Sequence, residues 1–173
     1  LEGHPILVVN AEDLVEDTLY KDIASGIRKS EPFIVGKYTE KYFDGGYIKL
    51  SQNRLMSIVE KPGEGQEPSK YINLVFHFFP VADIFLDRLR LVKTSRDDRY
   101  EKALDMFASE FAVSVISYDG HWTPFKYPWH VLDAMQYLLT HSLTSGKGKN
   151  VDIHNNVSLE GTVRIGNNVK IFE

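Results

Sequence analysis

Aliphatic residues recur at every sixth position near the end of the sequence. One series falls on Ile153, Leu159, Ile165 and Ile171, and a second on Val157, Val163 and Val169. An α-helix would return apolar residues every three or four positions, and a half-exposed strand every two. A period of six with Asn and Gly between is typical of a hexapeptide β-helix. The pattern predicts the first coil of a left-handed parallel β-helix over residues 151–173, cut from a longer array.

The start of the chain reads as a strand followed by a helix. Residues 6–10 form an unbroken apolar run, which predicts a strand buried on both faces of a parallel sheet. Leu14, Leu19, Ile23 and Ile27 then recur at helical spacing behind several acids. Acids in the first turn favour the positive end of a helix dipole. This strand–helix pair is half of a βαβ unit.

Strands and helices continue to alternate as far as residue 145. The predicted elements are extended segments over 32–60 with turns at 45–46 and 52–53, a strand over 71–79, helices after Pro80 and over 97–109, a strand over 113–117, and a helix opened by Pro128. The expected inner faces are Ile84, Phe85, Leu89 and Leu91 in one helix, and Trp129, Leu132, Met135, Leu138 and Leu139 in the last. We therefore predict an α/β domain over 1–145, a linker over 146–150, and hexapeptide repeats over 151–173.

Composition excludes several classes of protein. The 173 residues are 43% hydrophobic, enough for one domain and part of another. The absence of Cys rules out disulfides and thiolate zinc sites and fits a reducing cytoplasm. A net charge of -4 without a basic cluster argues against nucleic acid as a partner. No apolar run approaches the length of a membrane span, and the first residues lack the features of a signal peptide.

Three polar positions are candidates for chemistry. Glu60 and Lys61 end a predicted strand before Pro62, where they can offer an acceptor and an ammonium group to a ligand. On these residues alone, a solvated strand end is favoured. Asn73 lies inside an apolar run, so its amide is tied to backbone or directed at a ligand. Glu12 follows a strand, where a carboxylate can bind Mg²⁺, although on composition alone an acid at a helix start is the favoured explanation.

The order of these segments resembles the sugar-1-phosphate nucleotidyltransferase family, above all its bifunctional members with a hexapeptide β-helix. The matching segments are residues 8–12 (Val-Val-Asn-Ala-Glu), 45–46 (Gly-Gly), 58–62 (Ile-Val-Glu-Lys-Pro), 73–75 (Asn-Leu-Val), Trp122 with Pro128 and Trp129, and the hexads from Ile153. The resemblance spans nearly the whole chain. It implies the C-terminal part of a Rossmann-like transferase domain with a mixed sheet, without the family's glycine-rich nucleotide loop.

The resemblance also implies an activity and a set of binding residues. The family transfers a nucleotidyl group from a nucleoside triphosphate to a sugar 1-phosphate, of the uridylyl or thymidylyl type here. Lys61 is then expected to hold the sugar phosphate, Glu60 and Asn73 the sugar hydroxyls, and Gly46 to permit close contact. Glu12 is the expected Mg²⁺ ligand, and no catalytic residue is assigned. The intact protein is expected to be cytoplasmic and homo-oligomeric through its β-helix, and this chain alone inactive.

Three positions depart from the family pattern and leave alternatives open. Glu12 stands where the family has Asp, Pro124 where it has a second metal-binding Asp, and Val75 where it has a glycine. These changes favour a homologue without activity that acts as a binding or regulatory subunit. A β-helix acyltransferase with a secondary sugar domain is the third hypothesis. His77 and His121 are expected to be structural or exposed rather than ligands.

Overall fold

The computed structural model describes residues 3–172, which divide into two compact units between Trp122 and Thr123. The elements of the first unit are β1 (Ile6–Val9), β2 (Asp13–Val15), α1 (Asp17–Arg28), β3 (Phe33–Tyr38), β4 (Gly46–Ser51), β5 (Arg54–Glu60), β6 (Tyr71–Phe79), α2 (Ala82–Leu91), α3 (Arg99–Glu110) and β7 (Ser114–Ser117). Strand β8 (Trp122–Pro124) runs across the division. The second unit contains α4 (His130–His141), β9 (Gly146–Lys147), β10 (Asp152–Ile153), β11 (Arg164–Ile165) and β12 (Lys170–Ile171).

Six strands of the first unit form one mixed sheet in the order β1-β6-β3-β7-β5-β4. The pair β3–β7 is parallel, and the other ladders are antiparallel. The longest strand is β6, and its aromatic and β-branched residues suit a strand that is covered on both faces. The structure confirms the mixed α/β architecture and the limits predicted for this strand.

Two apolar cores lie on opposite faces of the sheet, and β6 contributes alternate residues to each. Phe79 packs on one face with Phe85 of α2 and Phe107 of α3, and the Phe79 and Phe85 ring centroids are 4.0 Å apart. Phe76 and Phe78 belong to the core on the other face. This alternation follows from the two-residue repeat of a strand.

A bulge interrupts the ladder between β6 and β3. Val35 pairs with Leu74, but its neighbour Ile34 pairs with His77, so Val75 and Phe76 are two extra residues in β6. Because two residues are inserted, the side chains on either side of the bulge keep their faces. Bulges commonly occur beside functional sites, where they redirect side chains.

The structure corrects the expectation for β1. This strand is an antiparallel edge strand among the described residues, not a strand inside a parallel sheet. Leu7 is 40% exposed, and half-buried and exposed residues alternate along the strand. A four-residue apolar run can belong to either environment, which explains the error. The helix after it begins at Asp17, so Leu14 lies in β2 and not in α1.

Two expectations for helix faces are also wrong. Phe85 is buried in α2 as predicted, but Leu91 is 64% exposed at the end of that helix. Helix α4 begins at His130, two residues after Pro128, and its buried residue is Ala134. The five apolar residues expected on its inner face are all exposed. No helix among residues 3–172 combines the length and apolar character that a membrane span requires.

Short parallel strands in the second unit pair residues that are always 18 positions apart in the sequence. Asp152 pairs with Lys170, and Gly146 pairs with Arg164. The Asn150 Nδ2 amide donates to Asn168 Oδ1 at 3.0 Å, again between residues 18 apart in sequence. Eighteen residues correspond to three hexads of the repeat. The segment expected as a linker therefore takes part in strand pairing, and the domain limits drawn from the sequence stay predictions.

We expect Phe85→Ala to lower the free energy of unfolding by about 3–5 kcal/mol, because it removes a ring that is 1% exposed between Phe79 and Phe107. Leu91→Ala in the same helix is the matched control, with an expected change within about 0.5 kcal/mol. Chemical denaturation followed by circular dichroism measures both. Equal losses for the two variants would contradict this description of the core.

We expect the amides of residues 163–171 to exchange rapidly with solvent in the monomeric 173-residue chain. The strands β11 and β12 have two residues each, and their isoleucines are only half-buried. Repeats with so few neighbours bury little apolar surface. Hydrogen exchange followed by mass spectrometry tests this, with the peptide covering β6 as the protected reference. Strong protection of the β11 and β12 amides in a proven monomer, as well as of the β6 peptide, would show that the repeats are stable alone.

Candidate functional site

Three of the residues predicted to bind the sugar lie together on the first unit. The β4–β5 ladder places Gly46 opposite Glu60, and β6 brings Asn73 to the same place. A Cβ atom added to Gly46 would lie 3.1 Å from Glu60 Oε2 and 3.5 Å from the Asn73 Cβ. A larger residue at position 46 would therefore displace the carboxylate. Gly46 therefore leaves room beside the Glu60 carboxylate and the Asn73 amide.

Lys61 adjoins this cluster in an unusual backbone conformation. Its φ of 46° lies in the left-handed region, which costs a non-glycine residue about 1–2 kcal/mol. Its backbone N–H donates to the Gly45 carbonyl at 3.1 Å, which holds the turn in place. The Lys61 ammonium lies 3.5 Å from Glu60 Oε1, and the Lys61 side chain is 45% exposed while that of Glu60 is 18% exposed. Lys61 therefore reaches solvent beside a more buried carboxylate, where an anionic ligand can approach its ammonium group.

A buried polar chain supports Asn73 from within the protein. Asn73 Oδ1 lies 2.8 Å from His77 Nε2, and His77 Nδ1 lies 2.8 Å from the Tyr100 hydroxyl. Complete burial lowers the pKa of His77 to about 3, so the ring is neutral near pH 7. Burial also raises the pKa of the Tyr100 hydroxyl well above its ordinary value, so it remains protonated. His77 is thus a structural group, as expected, but one that contacts the candidate site.

Helix α3 adds a carboxylate that sequence reasoning missed. This carboxylate is Glu101, and its burial raises its pKa. The nearby negative charge of Glu60 raises that pKa further. One turn further along the helix, Asp105 Oδ1 accepts a 2.7 Å hydrogen bond from the Ile58 N–H of β5. The spacing of four between these two acids would have been a usable signal, because it places both on one helix face.

The end of β1 reaches the same region of the sheet. The Asn10 N–H donates to the Val75 carbonyl at 2.8 Å, two residues from Asn73. Glu12 is exposed, and its backbone N–H donates to Asn10 Oδ1 at 3.3 Å. Burial raises the pKa of Asp13, and the nearby Trp122 indole partly offsets this shift. The Trp122 nitrogen is buried without a partner of good hydrogen-bond geometry among the described residues.

The described residues contain no preassembled cluster of three metal-binding side chains. Nowhere in residues 3–172 do three His, Asp or Glu side chains converge as metal ligands would. Pro124 offers no side-chain donor, and Mg²⁺ requires near-octahedral coordination by oxygen. His121 donates its backbone N–H to Glu16 Oε1 at 3.0 Å, within a separate group of contacts around Tyr118. The role of Glu12 as a metal ligand stays a prediction.

Solved structures that share this fold show in which class of protein the architecture occurs. The chain superposes on an apo UDP-glucose pyrophosphorylase with a TM-score of 0.69 and 17% identity, over 82% of this chain and 56% of the other. A putative glucose-1-phosphate thymidylyltransferase from Bacillus anthracis gives a TM-score of 0.64 and 14% identity, over 84% and 58% of the two chains. The chain has the fold of these nucleotidyltransferases.

Comparison by sequence finds relatives of the same kind. The chain is 30% identical over 154 residues to the bifunctional sugar-1-phosphate nucleotidylyltransferase/acetyltransferase of Sulfurisphaera tokodaii, covering 87% of this chain and 37% of that protein. It is 28% identical to the bifunctional protein GlmU of Methanocaldococcus jannaschii, over 95% of this chain and 41% of that protein. The chain thus spans about two-fifths of the length of these relatives. No family model matches the sequence.

We expect weak Mg²⁺ binding in the absence of nucleotide, because Glu12 has no second carboxylate at position 124. Isothermal titration of the protein with MgCl₂ measures the affinity. The variant Pro124→Asp is the informative comparison, since it restores a side-chain oxygen where the family has one. Tight stoichiometric binding by the unaltered protein without nucleotide would overturn this expectation.

Proposed function

We propose that this chain supplies the sugar-binding side of a nucleotidyltransferase site. In the proposed reaction, a phosphate oxygen of a sugar 1-phosphate attacks the α-phosphorus of a nucleoside triphosphate. The new O–P bond forms as the bond from the α-phosphorus to the bridging oxygen of the β-phosphate breaks. Pyrophosphate leaves with the electron pair of that bond, and the product is a nucleoside diphosphate sugar. Such transfer depends mainly on positioning and on neutralisation of phosphate charge.

The proposal rests mainly on the cluster that Glu60 and Asn73 form around Gly46. A carboxylate that only accepts hydrogen bonds, beside an amide that can donate, suits the hydroxyls of a sugar. Gly46 leaves space for the ring, and Lys61 next to Glu60 supplies a positive charge for the phosphate. The names of the relatives and the shared fold support the same assignment. The substrates are then a sugar 1-phosphate and, across the site, a nucleoside triphosphate.

A homologue that binds sugar phosphates without transferring nucleotides is the second candidate. Val75 lies at the bulge of β6, where a β-branched side chain limits approach to the backbone. Pro124 removes a metal-binding side chain. Both changes favour this candidate, while the groups that face the sugar remain. Binding and turnover must therefore be measured separately.

The second unit supports a proposed hexapeptide β-helix. Parallel pairing between residues 18 apart is the relation expected between successive coils of three hexads. Asn150 and Asn168 stack at equivalent positions, and Lys149 N–H donates to Asn167 Oδ1 at 2.8 Å. The same hypothesis further proposes that such a β-helix carries an acyltransferase site and the contacts between subunits. The observed strands belong to the repeats from which such an array would start.

We expect Glu60→Gln to weaken binding of α-D-glucose 1-phosphate about tenfold, because a charge-assisted acceptor becomes a neutral one, a loss of ~1.4 kcal/mol. Glu64→Gln makes the same chemical change at an exposed position of the loop after β5 and is expected to bind normally. Isothermal titration measures both affinities.

Because this chain alone is expected to be inactive, pyrophosphate release with UTP or dTTP is assayed on a longer protein that joins the glycine-rich nucleotide loop to this chain, and that assay separates the two candidates. Binding together with release supports the transferase, and binding without release supports the homologue without activity. Equal affinity of Glu60→Gln and the unaltered protein would remove Glu60 from the proposed site.

A further inference from the structure

The contact between Asn73 and His77 depends on the bulge in β6. Residues four apart on a regular strand are separated by roughly 13 Å, further than an asparagine and a histidine side chain can span. Here the two extra residues at the bulge shorten the strand, and the side chains meet at 2.8 Å. The contact is therefore a specific product of irregular backbone, and does not arise from sequence spacing alone.

The position of His77 is costly for a residue with only a packing role. It is fully buried, and its ring stacks on Tyr100 in the core that contains Phe79 and Phe85. A buried imidazole must have both nitrogens satisfied, because a buried polar group without a hydrogen-bond partner destabilises the protein. An aliphatic residue of similar volume would avoid this requirement. The polar chain is fully connected, which is the condition under which such networks define a unique geometry.

The hydrogen-bond roles follow from the atoms that meet. The Asn73 oxygen can only accept, so Nε2 of the neutral His77 ring carries the proton and donates it. The other ring nitrogen, Nδ1, then accepts, and the Tyr100 hydroxyl must donate to it. The three roles are coupled: a half-turn of the Asn73 amide would require the other tautomer of His77 and a Tyr100 hydroxyl that accepts instead of donating.

We propose that Tyr100 and His77 are positioning residues that lock the Asn73 amide with its oxygen inward. Its NH₂ group is then left to donate to an acceptor oxygen of the bound sugar. This inference rests on the proposed function and adds a positioning role to it. Glu60 accepts a hydrogen bond from a donor on the sugar, and the locked amide donates to an acceptor oxygen at a neighbouring position. The chain Tyr100–His77–Asn73 therefore determines which atom of the Asn73 amide faces the sugar.

Two substitutions at position 77 separate positioning from packing. His77→Leu keeps an apolar side chain of similar size but removes the donor to Asn73. We expect it to weaken binding of α-D-glucose 1-phosphate about tenfold, as expected for the loss of one oriented hydrogen bond. His77→Gln places an amide nitrogen near the position of Nε2 and is expected to bind within about threefold of the unaltered protein. Phe79→Leu, in the same core but outside the polar chain, should lower stability without changing this affinity.

The tautomer of His77 gives a readout that is independent of the ligand. In ¹⁵N NMR spectra of the protein, we expect a protonated Nε2 and an unprotonated Nδ1 across neutral pH. We also expect one set of Asn73 side-chain NH₂ signals, which becomes broadened or doubled in His77→Leu. Tyr100→Phe removes the donor to Nδ1 and should weaken the tautomer preference.

The outcomes distinguish this inference from the proposed function. A proton on Nδ1, or equal sugar phosphate affinity in His77→Leu and the unaltered protein, would overturn the positioning role. Equal weakening by His77→Leu and His77→Gln would also overturn it, because packing would then explain the loss. If the unaltered protein binds no sugar 1-phosphate, the proposed function fails, and the tautomer and the NH₂ signals decide the locking of the amide by themselves.

Discussion

The bulge in β6 is the constraint on which the candidate site depends. If β6 ran as a regular strand from Asn73 to His77, without the bulge at Val75 and Phe76, these two side chains would lie too far apart to bond. Because the insertion is even, Phe76 and Phe78 still face one core while Phe79 faces the other. The strand can therefore change its local path without exposing apolar residues. Both cores hold the irregular backbone in place, and this backbone in turn fixes the polar group between them.

The charges around the site are arranged on one side of the sheet. Glu60 comes from β5 and Glu101 from α3, and burial followed by the nearby negative charge of Glu60 raises the pKa of Glu101. The Lys61 ammonium lies 3.5 Å from Glu60 Oε1, and the Lys61 side chain is 45% exposed. A ligand with hydroxyl donors and a phosphate anion would satisfy the carboxylates and the ammonium together.

The sequence predicted the elements with strong periodicity and missed those that depend on long-range pairing. The limits of β6 were correct because its apolar run is long and ends at Pro80. The position of β1 at the sheet edge was not predictable from four apolar residues, since pairing with β6 involves residues about seventy positions away. The hexad period correctly indicated short strands, and the separation of eighteen emerged only from their pairing. The exposure of α4 likewise contradicts its amphipathic pattern, because periodicity does not show what covers a face.

The same distinction explains which residues of the candidate site were predicted. Gly46, Glu60 and Asn73 were predicted through a family order of motifs, which already contains long-range information, and the structure places them close together. His77 and Tyr100 carry no motif, and their contact with Asn73 requires the bulge and the docking of α3. The contacts described for the candidate site come from the backbone and the core packing of the first unit. Under the proposed function, a change such as Pro124 acts on metal binding and turnover, while Glu60 and Asn73 act on the sugar. The proposal therefore assigns recognition of the sugar and transfer of the nucleotide to different residues, and loss of the second need not remove the first.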